Sequence, residues 1–358
     1  MADRVMMKGN EAIAEGALRA GCRFFFGYPI TPQNEVPEYM AKRMPEVGGT
    51  FIQAESEVSA VNMVYGAAGA GARAMTSSSS PGVSLKMEGI SYIAGAELPC
   101  VIVNVSRGGP GLGGLTPSQA DYFQATKGGG HGDYRLIVFA PSSVQEIIDL
   151  MYEAFVTADK YRNPAMVLAD GLLGQMMEPV TLRDAADLQI PPKLWATTGQ
   201  VPGKKLSLIN SLGLLGEELE EINVRLQKKY QEIEANEVRY VEEGVADADL
   251  IVVAYGTSAR VAKSAIAKAE AQGKKVGLFR PVTLWPFPSK RLSELAKDGK
   301  RFLVVEMSAG QMVEDVRLAA AAGNQTKVDL FGKLNGGIPT VNEVLDAIMK
   351  SFENKGVA

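Results

Sequence analysis

The stretch RFFFGYPITPQ, residues 23–33, decides the fold. Its first half is a short apolar run, which is typical of a buried strand. Pro29 and Pro32 follow, and each fixes φ and removes a backbone donor, so the run ends in a stiff corner. The two prolines also bias Tyr28 and Thr31, which precede them, toward extended backbone. The stretch therefore predicts a strand whose carboxyl end carries a rigid corner with one hydroxyl, that of Thr31.

Further apolar runs recur after this strand and alternate with helical patterns. The runs are CVIVNV (100–105), RLIVFA (135–140) and PAMVLA (164–169). Apolar residues at helical spacing lie between the last two runs, and Ser143 and Glu146 form a capping box at the start of that helix. Strands that alternate with helices predict a parallel sheet covered on both faces.

The pattern changes after about residue 180. Residues 187–216 are rich in proline, glycine and small polar residues, which indicates a connection. Residues 217–243 place Leu219, Ile222, Leu226, Tyr230 and Ile233 on one helical stripe among dense charges, which predicts an amphipathic helix packed on a neighbour.

A second α/β unit follows this connection. Its predicted strands are 249–256, 274–280 and 300–307, and its predicted helices are 257–273 and 310–320. The predicted fold class is α/β, with two α/β domains of mainly parallel sheets. The domains are 1–186 and 247–358, and residues 187–246 form a linker that carries the charged helix.

Composition excludes several classes of function. The chain has 358 residues and a net charge of -4, which gives no reason to expect nucleic acid or an anionic membrane. We expect no signal peptide and no membrane span, and therefore a cytoplasmic protein. A disulfide between Cys22 and Cys100 is possible, although two buried thiols are expected, and two cysteines cannot hold a four-cysteine iron–sulfur cluster. A single histidine, His131, argues against most histidine metal sites, and no metal ligands are predicted.

In open α/β sheets, ligands bind at the carboxyl ends of the strands. Thr31 and Gln33 follow the first strand, and Ser106 and Arg107 follow the run at 100–105. An arginine there is suited to hold a carboxylate or phosphate through two parallel hydrogen bonds, and a structural ion pair is the alternative. The glycine-rich segment 108–135 is predicted to be a long loop, and its role and that of His131 stay open.

Two helix starts offer further candidates. Glu55 and Glu57 precede a helix rich in alanine and glycine, which suits a tight interface or a bound cofactor. Their alternative role is to complement the helix dipole. Ser78 and Ser79 belong to a run of hydroxyls before another helix, where they either help to bind an anion or act as ordinary caps and turn formers.

Several motifs occur together and in order. They are YPITP (28–32), QAESE (53–57), SRGGPGLGGLTPSQAD (106–121), VVAYGTSAR (252–260) and GLFRPVTLWPFP (277–288). With them the chain resembles, over nearly its whole length, the alpha subunit of thiamine-diphosphate-dependent 2-oxoacid:ferredoxin oxidoreductases. The similarity is greatest to the 2-oxoglutarate and branched-chain 2-oxoacid group.

The resemblance implies a pyrimidine-binding domain followed by a domain like the carboxyl-terminal domain of transketolase. It implies CoA-dependent oxidative decarboxylation of 2-oxoglutarate or 3-methyl-2-oxobutanoate, with electrons passed to ferredoxin. Thiamine diphosphate would be shared with a beta subunit that holds the diphosphate and Mg²⁺. Gamma and ferredoxin-like delta subunits are implied as well, with iron–sulfur clusters on partner chains.

The resemblance also implies roles for individual residues. Glu57 matches the glutamate that hydrogen-bonds the pyrimidine ring of the cofactor, Arg107 matches the arginine that binds the substrate carboxylate, and Thr31 matches the threonine that hydrogen-bonds the substrate. Further expected contacts to the cofactor are Tyr28, Pro29, Ser78 and Ser79. A non-catalytic structural subunit and a different thiamine enzyme remain the alternatives.

Overall fold

The computed structural model describes residues 4–183, 188, 190–199, 202–203, 205–323, 326–334 and 337–353. The strands are β1 (Arg4–Lys8), β2 (Phe24–Gly27), β3 (Thr50–Gln53), β4 (Ala74–Ser78), β5 (Val101–Ser106), β6 (Ile137–Phe139), β7 (Ala165–Asp170), β8 (Met177–Thr181), β9 (Tyr240–Glu243), β10 (Leu250–Val253), β11 (Val276–Pro281), β12 (Thr283–Trp285), β13 (Arg301–Glu306) and β14 (Val328–Gly332). The α-helices are α1 (Gly9–Arg19), α2 (Glu35–Arg43), α3 (Glu57–Gly69), α4 (Ser80–Gly95), α5 (Tyr122–Thr126), α6 (Val144–Tyr161), α7 (Gly171–Gln175), α8 (Gly216–Asn236), α9 (Gly256–Glu270), α10 (Ser289–Lys297), α11 (Met312–Ala320) and α12 (Val341–Glu353), and a 3₁₀ turn covers Pro45–Val47.

The first sheet has seven strands in the order β12-β6-β7-β5-β4-β2-β3. All of them run parallel except β12, which is antiparallel to β6. Strands β5 and β7 are buried at every position, as expected for continuous apolar runs covered on both faces. The chain moves from β2 to β3 on one side and then to β4 on the other side of β2. This reversal creates a topological switch point at the carboxyl ends of β2 and β4, where ligands bind in such sheets.

The second sheet has five strands in the order β14-β13-β10-β11-β9, and only β9 is antiparallel to its neighbour. The predicted α/β class with two mainly parallel sheets is therefore confirmed. The predicted domain bounds 1–186, 187–246 and 247–358 stay predictions, and residue 186 itself lies outside the described residues.

Two predicted segments differ from the structure. The helix predicted over 217–243 ends at Asn236, and its last residues instead form β9, which pairs with β11. Pairing with β11, together with the stacking of Tyr240 on Phe279, decides the conformation there. Of the predicted helical stripe, Leu226, Tyr230 and Ile233 are buried, Ile222 is partly buried and Leu219 is exposed. The loop predicted over 108–135 contains the short helix α5.

The second unit holds the long loop that leaves β5. Gln119 is buried in that loop, and its Nε2 donates to the carbonyl of Tyr255 at 2.9 Å. Its Oε1 accepts from Oγ of Ser258 at 2.7 Å and from the backbone N–H of Met307 at 3.0 Å. One side chain of the first unit thus satisfies three polar groups of the second, which fixes the path of the loop after Arg107.

Both cysteines are free and buried, as expected for two thiols. Burial raises the pKa of the Cys22 thiol to about 12 and that of Cys100 also to about 12, so neither is a reactive thiolate near neutral pH. Among the helices that the structure describes, none is long and apolar enough to cross a membrane.

Replacing Gln119 tests the contact between the units. Gln119→Ala leaves two buried polar groups unpaired, Oγ of Ser258 and the N–H of Met307, because the carbonyl of Tyr255 keeps its bond from the N–H of Ala259. The free energy of unfolding is therefore expected to fall by about 2 kcal/mol. The measurement is urea denaturation of the purified protein. The control is Gln227→Ala, which removes one surface hydrogen bond to the carbonyl of Asp133 and is expected to change stability by less than about 0.5 kcal/mol. Equal effects of the two variants would contradict this account of the interface.

Candidate functional site

Arg107 and Thr31 meet at the switch point. The buried Arg107 follows β5, and its Nη1 donates to the carbonyl of Thr31 at 2.7 Å. Its backbone N–H donates to Oγ of Ser80 at 2.9 Å, at the start of α4. Within the part of the chain that the structure describes, Arg107 makes no ion pair.

A small network holds the start of α4 against the end of β5. Oγ of Ser80 lies 2.6 Å from Oδ2 of Asp121, and Nδ2 of Asn104 donates to the same oxygen at 2.9 Å. The backbone N–H of Ser80 donates to Oδ1 of Asn104 at 3.1 Å. Because these groups are buried or partly buried and mutually bonded, they set the position of Arg107 relative to α4.

Glu57 is the first residue of α3, and Ser56 caps that helix by accepting from the N–H of Ser59. Glu57 is only 7% exposed, and its carboxylate faces Gly82 of α4. A β-carbon at position 82 would overlap Oγ of Ser78 and would lie 2.7 Å from Oε1 of Glu57. The missing side chain at Gly82 therefore provides the space in which these two predicted site residues come together.

Several buried polar atoms in this region lack a hydrogen-bond partner among the described residues. They are Nε2 of Gln33, Oγ of Ser78, Oγ of Ser79, Oγ of Ser106 and Nε of Arg107. All of them belong to residues at or just beyond the carboxyl ends of β2, β4 and β5. Unpaired buried polar groups are rare because each one costs free energy, so their concentration in one place indicates a site for a polar ligand.

Two further serines at the end of β4, Ser77 and Ser79, differ in their hydrogen bonds. Oγ of Ser77 donates to Oε1 of Gln33 at 2.6 Å, which joins β4 to the corner after β2 across the switch point. Ser79 is the N-cap residue of α4, yet its side chain makes no capping hydrogen bond. The carbonyl of Ser79 accepts from the N–H of Gly82 at 2.7 Å, whereas its hydroxyl has no partner among the described residues.

Other predicted residues lie around this centre. Tyr28 and Pro29 are exposed and Thr31 is half-buried, so the corner presents its surface to solvent. His131 is also exposed, with its ring edge-on to Tyr92 at 6.0 Å. Among the residues that the structure describes, the contacts of His131 are with Ser91 and Tyr92 and not with the residues at the switch point.

The sequence reasoning missed Lys86. This lysine of α4 is fully buried, and its Nζ donates to Oγ1 of Thr76 at 2.6 Å and to the carbonyl of Ser77 at 3.0 Å. Burial lowers the pKa of Lys86 to about 7, while the charge of Glu57 acts in the opposite direction. A lysine between Leu85 and Met87 carries no sign of burial in the sequence, because lysines in helices are ordinarily solvated.

The side chains of this site include donor groups that suit a polar organic ligand. Within the described residues, no group of three or more His, Cys, Asp or Glu side chains is arranged to hold a metal ion. Unpaired hydroxyls, an amide and a guanidinium lie beside one open carboxylate, which fits a polar ring and a carboxylate ligand. The fold and the site together define an α/β protein with a ligand site at the switch point of its first sheet.

Comparisons with known proteins specify the family. The profile described as pyruvate flavodoxin/ferredoxin oxidoreductase, thiamine diphosphate-binding, matches residues 15–241, and that of pyruvate:ferredoxin oxidoreductase core domain II matches residues 248–344. The chain belongs to this family of 2-oxoacid oxidoreductase subunits, and it is an oxidoreductase subunit.

Two relatives are similar over nearly their full length. Ketoisovalerate oxidoreductase subunit VorB of Methanothermobacter thermautotrophicus is 54% identical, with 96% of each chain covered. The 2-oxoglutarate synthase subunit KorA of Methanothermobacter marburgensis is 36% identical over 98% of this chain and 99% of its own. A solved 2-oxoglutarate:ferredoxin oxidoreductase of Magnetococcus marinus, with 2-oxoglutarate, coenzyme A and succinyl-CoA bound, is 27% identical with a TM-score of 0.86, and the match covers 98% of this chain but 65% of that one.

Gly82 gives a direct test of the site geometry. Gly82→Ala places a methyl group against Glu57 and Ser78, so the affinity for thiamine diphosphate is expected to fall at least about 10-fold, a loss of about 1.4 kcal/mol. Calorimetric titration of the protein purified with its partner chains measures this affinity. The control is Gly216→Ala, where an added β-carbon meets nothing within 4 Å. Unchanged affinity in Gly82→Ala would contradict the placement of the cofactor beside Glu57.

Proposed function

We propose that this chain is the alpha subunit of an enzyme that converts a branched-chain 2-oxoacid, 3-methyl-2-oxobutanoate, and coenzyme A to acyl-CoA and CO₂. The two electrons released pass to ferredoxin. The observation that carries the proposal is Arg107, a buried guanidinium without an ion pair among the described residues, whose Nε has no partner beside the corner of Thr31.

Arg107 binds the carboxylate of the substrate. Its Nη1 is engaged by the carbonyl of Thr31, which leaves Nε and Nη2 for two parallel hydrogen bonds to a carboxylate. The bond to Thr31 also orients the guanidinium before the substrate arrives, so less rotational freedom is lost on binding.

Thr31 and Glu57 act on the other groups of the reaction. The hydroxyl of Thr31 hydrogen-bonds the 2-oxo group from a corner stiffened by Pro29 and Pro32. Glu57 hydrogen-bonds the pyrimidine ring and exchanges a proton with it, while Tyr28, Pro29, Ser78 and Ser79 contribute contacts around the ring. When bound, thiamine diphosphate supplies the electron sink that decarboxylation of a 2-oxoacid requires.

The residues beside Arg107 favour a branched-chain substrate over 2-oxoglutarate. The distal carboxylate of 2-oxoglutarate needs a second cation or several donors, yet residues 108–126 contain no lysine or arginine and include Asp121. Lys127, the next residue of the loop, is paired with Asp315 of α11. Leu112 and Leu115 of the same loop are 88% and 61% exposed, which provides apolar surface for a branched side chain. The identity to the ketoisovalerate relative, 54%, also exceeds the 36% to the 2-oxoglutarate relative.

The chain works with partner chains in this proposal. A beta subunit holds the diphosphate and Mg²⁺, and gamma and ferredoxin-like delta subunits complete a cytoplasmic complex that carries the iron–sulfur clusters. Exposed apolar side chains on α3 and α4, those of Val58, Met63 and Leu85, support such an association because they lie on the helices that hold Glu57 and Gly82. A purely structural subunit would have no use for the group of unpaired polar atoms.

A substrate panel tests the proposal. In the complex purified with its partner chains, reduction of ferredoxin or viologen dye should require coenzyme A and be fastest with 3-methyl-2-oxobutanoate, compared with 2-oxoglutarate and pyruvate. Glu57→Gln should lower kcat by about 100-fold or more, because an amide cannot exchange the proton. A preference for 2-oxoglutarate would contradict the proposed substrate. The absence of activity with every 2-oxoacid would contradict the proposed reaction.

Variants of Arg107 and Thr31 separate binding from orientation. Arg107→Met should raise KM for the 2-oxoacid by about 100-fold, because charged hydrogen bonds of about 1.5–3 kcal/mol are lost. Thr31→Val keeps the shape and should lower kcat about 10-fold at unchanged affinity for thiamine diphosphate. Arg317→Met, an arginine on the surface of α11, serves as the control in steady-state kinetics. Unchanged kcat and KM in both Arg107→Met and Thr31→Val would contradict a catalytic role of the corner and leave it a purely structural turn.

A further inference from the structure

The corner after β2 is bonded to a buried asparagine that the proposed reaction does not use. Asn10 is the second residue of α1, and its side chain is fully buried. Its Nδ2 donates to the carbonyl of Pro32 at 2.7 Å and to Oε2 of Glu35, the first residue of α2, also at 2.7 Å. Because both neighbours are acceptors, the nitrogen of the amide must face them, which fixes the orientation of this side chain.

The close approach of α1 to α7 brings Asn10 to the corner. The N–H of Gly9 donates to the carbonyl of Met176 at 2.9 Å, and a β-carbon at position 9 would overlap the carbonyl of Leu173. A β-carbon at Gly174 would lie 2.5 Å from Oδ1 of Asn10. The two glycines therefore leave the space that the amide of Asn10 fills.

The carbonyl of Pro32 has a second donor at the surface. Nε2 of Gln175, the last residue of α7, donates to it at 3.2 Å and to Oε1 of Glu35 at 2.9 Å. Nζ of Lys8 pairs with the same oxygen of Glu35 at 3.3 Å. Gln175 is exposed and makes the longer bond to Pro32, so the buried Asn10 is the stronger partner of this carbonyl.

The corner depends on side chains for its position because Pro32 has no N–H of its own. The carbonyls before and after the proline ring, those of Thr31 and Pro32, both accept hydrogen bonds from side chains of other elements. Nη1 of Arg107 donates to the first, and Nδ2 of Asn10 donates to the second. The peptide groups on both sides of Pro32 are therefore held from two separate parts of the fold.

We propose that Asn10 is a positioning residue for the 2-oxoacid reaction: by binding the carbonyl of Pro32 it fixes the backbone of Thr31 and thereby the hydroxyl that Thr31 offers to the substrate. This inference rests on the proposed function, in which that hydroxyl hydrogen-bonds the 2-oxo group. Asn10 itself touches neither the substrate nor the cofactor and acts through Thr31. A small displacement of a group that orients the substrate lowers the rate of the chemical step, because the reactive geometry is reached less often.

A double-mutant cycle tests whether Asn10 acts through Thr31. In the complex purified with its partner chains, Asn10→Ala should lower kcat for 3-methyl-2-oxobutanoate about 10-fold and leave the affinity for thiamine diphosphate unchanged. The double variant Asn10→Ala/Thr31→Val should then be no slower than Thr31→Val alone. Losses that multiply in the double variant would overturn the inference. Gly174→Ala, whose β-carbon displaces the amide without removing it, should lower kcat in the same way.

Asn163 provides a matched control. It is also fully buried, its Nδ2 donates to the carbonyls of Arg135 and Pro164 at 3.0 Å each, and, as in Asn10, its Oδ1 has no partner among the described residues. It precedes β7, at the amino end of the sheet and away from the switch point. Asn163→Ala should therefore be destabilised in urea about as much as Asn10→Ala and keep its kcat within about 2-fold. An equal loss of kcat in the two variants would attribute both losses to general destabilisation and contradict the inference.

Hydrogen exchange tests the role of Asn10 without turnover. In the same complex, followed by mass spectrometry, the peptide 30–36 should exchange its amide hydrogens faster in Asn10→Ala than in the wild type, because the corner has lost its bond to α1. This peptide should exchange at the wild-type rate in Asn163→Ala. Unchanged exchange in Asn10→Ala would overturn the inference. Faster exchange supports the hold of Asn10 on the corner even in a complex inactive with every 2-oxoacid, so failure of the inference and failure of the proposed function give different results.

Discussion

The hydrogen bond from Arg107 to the carbonyl of Thr31 is the interaction on which the site depends. It spans the switch point of the first sheet, because Thr31 follows β2, Arg107 follows β5, and β4 lies between them. The same arginine is bonded through its backbone to Ser80, so Arg107 fixes the corner after β2, the loop after β5 and the start of α4 relative to one another. Because Nη1 of Arg107 is bonded to the protein, the orientation of the guanidinium is fixed and its remaining donors are available to a ligand.

The second constraint is space between α3 and α4. Both helices contain small residues, and the absence of a β-carbon at Gly82 brings the carboxylate of Glu57 next to Ser78. The close approach also limits hydration of the site, which strengthens electrostatic interactions between the groups that face it. The glutamate, serine and lysine of this region are therefore sensitive to small displacements of α4.

Much of the architecture follows from the sequence because apolar runs and helical spacing are local signals. The rule that ligands bind at strand ends selected Thr31 and Arg107 in advance, and the structure places them in contact. The features that were not predicted depend on contacts between residues that are distant in sequence. The pairing of β1 with β8 joins residues 4–8 to 177–181, and the hydroxyl-rich AMTSS of β4 lacks the usual strand composition. Lys86 is buried only because β4 supplies its acceptors.

Strand β12 has a consequence for how the chain reaches its native state. It comes after β11 of the second sheet, yet it pairs with β6 and completes the outer side of the first sheet. An unpaired edge is a template for association with other chains, so β6 remains exposed to that hazard until residues 283–285 have been synthesised. During synthesis, the amino-terminal unit alone cannot complete its sheet. The edge of β6 is covered only when β12, which follows β11 of the second unit, has been synthesised.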